Sequence, residues 1–305
     1  MMTSNALLRL PVILMSSVMG VAGLANAAKA SGISFLAPTV TLVATGAMVM
    51  LLIFTLSFCA RYMKKSTQYF DEMASVVSRH FLSCGTISLF LLSGLFNSTT
   101  LWVLGVAIQV PLFIIILTCW IYNYKNLLTN FNPTFLIPPL ANVVCAIFVP
   151  EWLKGFGYFM YLVGTLVGGG IYLMLFLHLV KKVFIAKPLY PTYFIMMATP
   201  SMFFLGLQTY AIRLSVVGVG YYAWAVIASI ALFFNIRKII TTNFSMAYWA
   251  LTFPMAAFTT ATYKYAYLTG APLWFGHSLL VITFLILLKV IARTVLNRHH
   301  LLLPQ

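Results

Sequence analysis

Apolar runs of about 20 residues recur along the whole chain, each long enough to cross a hydrocarbon core of about 30 Å. They lie near 10–28, 38–60, 80–97, 100–123, 134–150, 156–180, 191–212, 216–236, 244–267 and 272–293. Membrane strands would need shorter, alternating segments, which these are not. A mean hydropathy of +1.01 and a charged fraction of 7% exclude an ordinary soluble domain, which carries roughly 25% charged residues. The gaps are short, the longest falling around 61–79, so no soluble domain fits between the runs. The chain therefore reads as one all-α integral membrane domain over 1–305, with ten transmembrane helices.

Charge narrows what such a domain can carry. Eighteen basic residues stand against three acidic ones, for a net charge of +15. Asp71 and Glu72 lie in a polar segment beside Lys64, Lys65 and Arg79, and Glu151 lies between two runs near Lys154. A cation needs compensation for its lost hydration, which transporters commonly supply as Asp or Glu at membrane depth. No run here carries one, so the balance favours anions by elimination. With a cytoplasmic N-terminus, the inner side collects Arg9, Arg61, Lys64, Lys65, Arg79, Lys125, Lys181, Lys182, Lys187, Arg237, Lys238, Lys289, Arg293 and Arg298. The outer side collects Lys29, Lys154, Arg213 and Lys264. This asymmetry satisfies the positive-inside rule and predicts a multi-pass protein of the cell membrane with both termini cytoplasmic. The basic excess reads as a topology signal and an affinity for anionic lipid heads, not for nucleic acid. Arg9, the following apolar stretch and Ala25-Asn26-Ala27 imitate a secretory signal, but Pro11, Gly20 and Gly23 fit a retained, interrupted first helix better.

Nothing in the sequence suggests an enzyme, a cofactor or a metal. Cys59, Cys84, Cys119 and Cys145 fall singly in four runs and read as buried free thiols. His80, His178 and His277 sit near run ends without ligand spacing.

The prolines carry an organising pattern. Pro11, Pro138, Pro139, Pro200 and Pro254 fall in odd-numbered runs, and the third run carries Gly85 and Gly94 instead. Among even runs only Pro111 is clearly interior. Broken backbone survives in a bilayer only where protein buries it or water reaches it. One broken and one intact helix per hairpin predicts five hairpins, with the odd-numbered helices around a central pore.

The ninth run reads Asn243-Phe244-Ser245-Met246-Ala247-Tyr248-Trp249-Ala250-Leu251-Thr252-Phe253-Pro254-Met255. This resembles the signature of the tellurite-resistance/dicarboxylate transporter (TDT) family, which includes TehA, malic acid permeases and slow-type anion channels. Leu10-Pro11 with Gly20 and Gly23 is similar to that family's first helix, although Ile13-Leu14-Met15-Ser16 replaces its usual glycine-aromatic pattern. Ile137-Pro138-Pro139-Leu140-Ala141-Asn142 is similar to the start of its fifth helix. The resemblance implies a homotrimer with one pore per protomer and anion conduction or transport.

It also implies that Phe253 is a pore-occluding ring, aimed by a bend at Pro254, with Gly20 as the small residue opposite. Asn142, Ser16, Ser83, Thr86, Thr199 and Thr252 are candidate pore-lining groups. A second job stands open for each: a helix-to-helix hydrogen bond for Asn142, and for the hydroxyls a bond to a carbonyl freed beside proline or glycine. Lys264, about eleven residues past Phe253, is a candidate attractor of anions at the outer mouth. The leading expectation is a passive channel or uniporter for nitrate, chloride or tellurite-like oxyanions. The alternative is a proton-coupled carrier of dicarboxylates such as malate.

Overall fold

The structure is a computed structural model that describes residues 10–123, 131–181, 185–237 and 244–297. Arg9, Lys125, Lys182, Lys238, Asn243 and Arg298, all used above, lie outside these residues. The described residues are helical, with no strand among them. In chain order the long helices are α1 (Met15–Ala30), α2 (Ala37–Met63), α3 (Val76–Phe96), α4 (Thr99–Tyr122) and α5 (Ile137–Ile147). They continue with α6 (Lys154–Val180), α7 (Ile195–Tyr210), α8 (Val216–Phe234), α9 (Thr252–Thr269) and α10 (Trp274–Leu296). A short helix, Thr67–Ala74, links α2 to α3.

Seven helical stretches are long and apolar enough to cross a membrane by length and composition: Val12–Ala30, Ser34–Met63, Val76–Phe96, Thr99–Tyr122, Glu151–Val180, Val216–Phe234 and Trp274–Leu296. The expected runs around 134–150, 191–212 and 244–267 are met by helices of 11, 16 and 18 residues. Each of these begins in a 3-10 segment: Pro133–Leu136, Lys187–Phe194 and Met246–Leu251. Proline explains two of the three, because Pro133, Pro188 and Pro191 lack the N–H that a regular turn would use.

Helix packing separates these elements into two layers. α1 packs on α3, α3 on α5, α5 on α7, α7 on α9, and α9 back on α1, which closes a ring. Each of α2, α4, α6, α8 and α10 packs on the ring helix before it and, less extensively, on the next one round, α10 closing onto α1. Burial follows the layers. The ring stretches Val12–Ala30 and Val76–Phe96 are 72% and 67% buried, whereas Val216–Phe234 outside is 11% buried. The outer helices expose Leu42, Leu56, Ile121, Leu166 and Phe233, a surface that acyl chains solvate and water does not.

Three of the ring helices, α5, α7 and α9, begin in the 3-10 segments given above, and free backbone groups of the ring find partners inside the protein. α5 is about 16 Å long, and its last carbonyls are taken by side chains of other helices. Trp102 Nε1 donates to Cys145 O at 2.9 Å, and Tyr210 Oη donates to Ala146 O at 3.1 Å. At the start of the first ring helix, Val12 N donates to Glu72 Oε1 at 2.9 Å, while Arg61 Nη1 meets Glu72 Oε2 at 2.6 Å. Glu72 is thus buried, not solvated as its polar sequence neighbourhood suggests. Arg61 is 1% exposed. All four cysteines are free; Cys84 and Cys145 are buried, Cys119 is half-buried and Cys59 is exposed.

The Arg61–Glu72 pair fixes where the first ring helix begins, and breaking it leaves a buried guanidinium without its carboxylate. Glu72→Ala is expected to destabilise the protein by about 3–5 kcal/mol, read as a large fall in the midpoint of thermal unfolding in detergent. A variant melting like wild type would show that the pair contributes little.

Candidate functional site

The ninth-run motif works first as a structural clamp. Tyr248 and Trp249 are buried in the 3-10 segment Met246–Leu251. Trp249 Nε1 donates to Thr294 Oγ1 of α10 at 3.1 Å, and the Arg293 guanidinium lies 5.8 Å from the Tyr248 ring centre. Phe244 packs on Tyr248 with ring centres 5.4 Å apart. These contacts hold the 3-10 segment against α10 and set the residue at which α9 begins, Thr252. Phe253 is its second residue and Pro254 its third. Pro254 therefore lies in the first turn, where its missing N–H costs no intrahelical bond. The expected bend at Pro254 is replaced by a change from 3-10 to α geometry immediately before Phe253.

Two axial cavities meet at Phe253. The smaller, about 10 Å³, lies toward the N-terminal ends of the ring helices, lined by Met19, Phe81, Ile87, Leu140, Ala198 and Pro254 among others. The larger, about 250 Å³, lies toward their C-terminal ends, lined by Gly23, Leu91, Phe148, Met202 and Ala257 among others. All five ring helices, with their flanking residues, contribute to both, and Phe253 is the lining residue common to the two. Its side chain is 3% exposed. The Phe253 residue thus borders both cavities.

The small residue opposite the ring is Gly23, which corrects the expectation for Gly20. A Cβ at Gly23 would sit 3.1 Å from Phe253 Cδ2 and 3.2 Å from Ala256 Cβ. A Cβ at Gly20 would collide with Thr252 Oγ1 instead. The two glycines lie three residues apart on one face of α1, so spacing alone does not choose between them.

The expected polar lining is turned away from the axis. Ser16 donates to Ile13 O at 2.5 Å, Thr199 to Ile195 O at 3.1 Å and Thr252 to Trp249 O at 2.8 Å, while the single Thr86 hydroxyl proton faces Gln109 Oε1, with Ser83 O at 2.9 Å. Neither cavity is lined by these four residues, by Ser83 or by Asn142. Ser83 Oγ is buried without a hydrogen-bond partner. For Ser16, Thr199 and Thr252, the backbone bond is the job of the two left open that the geometry fills. Asn142 joins helices: Gln109 Nε2 donates to Asn142 Oδ1 at 2.9 Å and to Pro138 O at 3.1 Å, and Thr86 Oγ1 donates to Gln109 Oε1 at 2.6 Å. Gln109, a fully buried residue of α4, was passed over in the sequence. Its signal was a lone amide in an apolar run, two residues before Pro111.

Two further side chains depart from their expected places. Lys264 is exposed and about 16 Å past Phe253 along α9, and it does not line the cavity. Lys29, counted above only toward topology, does. His80 is buried with both ring nitrogens engaged. Trp120 Nε1 donates to Nε2 at 3.0 Å, which leaves Nδ1 to donate to Thr134 Oγ1 at 2.9 Å. That geometry ties α3 and α4 to the segment before α5. Among the described residues, no group of three or more His, Cys, Asp or Glu side chains could hold a metal ion.

Apolar outer helices around an enclosed axis define a multi-pass helical membrane protein. Residues 9–295 match the family model described as voltage-dependent anion channel, SLAC1. The chain belongs to that family, in agreement with the TDT resemblance. The family is one of anion channels and transporters. Comparison with curated proteins gives no match.

Contact between Gly23 and Phe253 predicts a coupled pair. Gly23→Ala should destabilise the wild type by about 1 kcal/mol or more through overpacking, and cost less in a Phe253→Ala background, where the contact with Ala256 Cβ remains. The double-mutant cycle in unfolding midpoints should show coupling of about 0.5–3 kcal/mol. Gly20→Ala should gain no such relief from Phe253→Ala, because its clash is with Thr252.

Proposed function

We propose that the chain is a passive channel or uniporter for small anions such as nitrate, chloride and tellurite-like oxyanions, gated by Phe253. The observation that carries this reading is the position of that ring between two cavities lined by all five ring helices. An aromatic ring across a narrow apolar tube blocks ions sterically and by dewetting. Neither cavity is lined by Asp, Glu or His, which favours passive conduction over proton-coupled dicarboxylate transport. It also leaves a cation without compensation for its lost hydration.

The reading includes ten membrane spans arranged as five hairpins, with the pore inside the ring. Both termini are cytoplasmic, supported by the fourteen-to-four division of basic residues. The resemblance alone supports a homotrimer with one pore in each protomer.

Flux into liposomes under an imposed membrane potential, with and without a pH gradient, tests the transport mode. Flux should follow the anion's electrochemical gradient in both cases, and dependence on the proton gradient would favour the carrier. Reversal potentials under a salt gradient should move toward the anion equilibrium potential. Phe253→Ala should raise basal conductance with little loss of thermal stability, and Phe253→Leu should stay mostly closed. If the ring were only core, Phe253→Ala would cost about 3–5 kcal/mol with no gain in current.

A further inference from the structure

The larger axial cavity has few polar groups, and most of them are already committed. Asn26, Lys29 and Thr260 are the polar side chains that line it. Asn26 Nδ2 donates to Ala22 O at 2.9 Å and Leu91 O at 3.2 Å. Thr260 Oγ1 donates to Ala256 O at 2.9 Å. Lys29 Nζ donates to Gly94 O at 2.8 Å, which uses one of its three ammonium protons. Two donors and a full positive charge remain.

Among the described residues, that charge has no acidic side-chain partner. The chain holds three carboxylates. Glu72 pairs with Arg61 and Glu151 with Lys154, and Asp71 lies in the Thr67–Ala74 linker, which precedes the N-terminal end of α3. Lys29 stands six residues beyond Gly23, about 9 Å above the Phe253 ring along α1.

The surroundings make a cation there consequential. Residues of the C-terminal halves of α1, α3 and α7 line this compartment, so the negative ends of parallel helix dipoles face it. Gly94 O is one of the last carbonyls of α3 and lacks a partner within its own helix. An anion at this mouth would meet unfavourable potential unless a cation offset it.

The geometry points to Lys29 as the docking site of a small monovalent anion at the C-terminal mouth of the axis. This inference rests on the reading of the axis as an anion route. The apolar remainder of the cavity suits an ion that sheds water readily, such as bromide or nitrate.

Bromide is the probe, because it scatters anomalously and is detectable whether or not the protein conducts. Crystals of the whole protein soaked in bromide should show an anomalous peak within hydrogen-bonding reach of Lys29 Nζ, and Lys29→Gln crystals should lack it. In the Phe253→Ala background, adding Lys29→Gln should lower bromide conductance at low concentration on the order of tenfold. The difference should shrink as bromide saturates. Arg213→Gln, the same charge change at that end of the bundle, should stay within about twofold. A missing peak, or one that persists in Lys29→Gln, overturns the inference, and current through Phe253→Ala would then leave the channel reading standing. A peak at Lys29 with no current through Phe253→Ala keeps the site and rejects the gate.

Discussion

Hydrocarbon offers no hydrogen bonds, and the irregular helices of this chain need them. A helix that starts in a 3-10 segment, or is as short as α5, presents backbone groups that lipid cannot satisfy. Here other parts of the protein satisfy them. Gln109 reaches Pro138 O, Trp102 reaches Cys145 O and Tyr210 reaches Ala146 O. Two of these donors come from α4, an outer helix, and one from the ring helix α7. These contacts tie the outer layer to the ring at the ends of its short helix, although an outer helix, α4, itself carries an interior proline, Pro111.

How much of this was legible in the sequence depends on the kind of signal. Apolar run length and proline position gave the layers, since both act through local backbone rules that hold in any membrane helix. Side-chain direction was harder. The serines and threonines near the breaks suggested a polar route, yet Ser16, Thr199 and Thr252 turn to their own carbonyls and Thr86 to Gln109. A hydroxyl that can reach a carbonyl three or four residues back satisfies two groups at once, and its competitor in an apolar tube offers less. Gly20 and Gly23 share one face, and which meets Phe253 depends on the axial offset between α1 and α9, a tertiary quantity. Lys29 lay beyond the end of its run, where a basic residue ordinarily reads as a topology mark.

With none of the candidate hydroxyls lining either cavity, the axis is almost wholly apolar. In the proposed channel such a route relies on access and potential, with Lys29 as its one charged lining group among the described residues. That reading places its weight on a single ring, Phe253. The ring's position is in turn fixed by the Tyr248–Trp249 segment, held on α10 through Thr294 and Arg293. A rotation of that segment would carry Phe253 with it. In the proposed channel the aromatic pair of the motif thus acts through position, five and four residues before the residue it aims.

The parallel ring also fixes an electrical asymmetry that side chains must manage. Five helices entering from the same end place their partial positive charges at one mouth and their partial negative charges at the other. The first mouth favours an anion without further help. At the second, exposed carbonyls disfavour it, and Lys29 is the lining cation there, bonded to a helix-end carbonyl of α3. One ammonium cannot cancel five dipole ends, each about half a charge, and Lys29 is itself exposed, so solvent screens both the ammonium and the helix ends. What matters for an ion is the potential just above Phe253, where the lysine is within about 10 Å and the carbonyls of the outer turns are wet. A nearly flat profile along the axis, and not a deep well at any point, is what an apolar route with one gate requires.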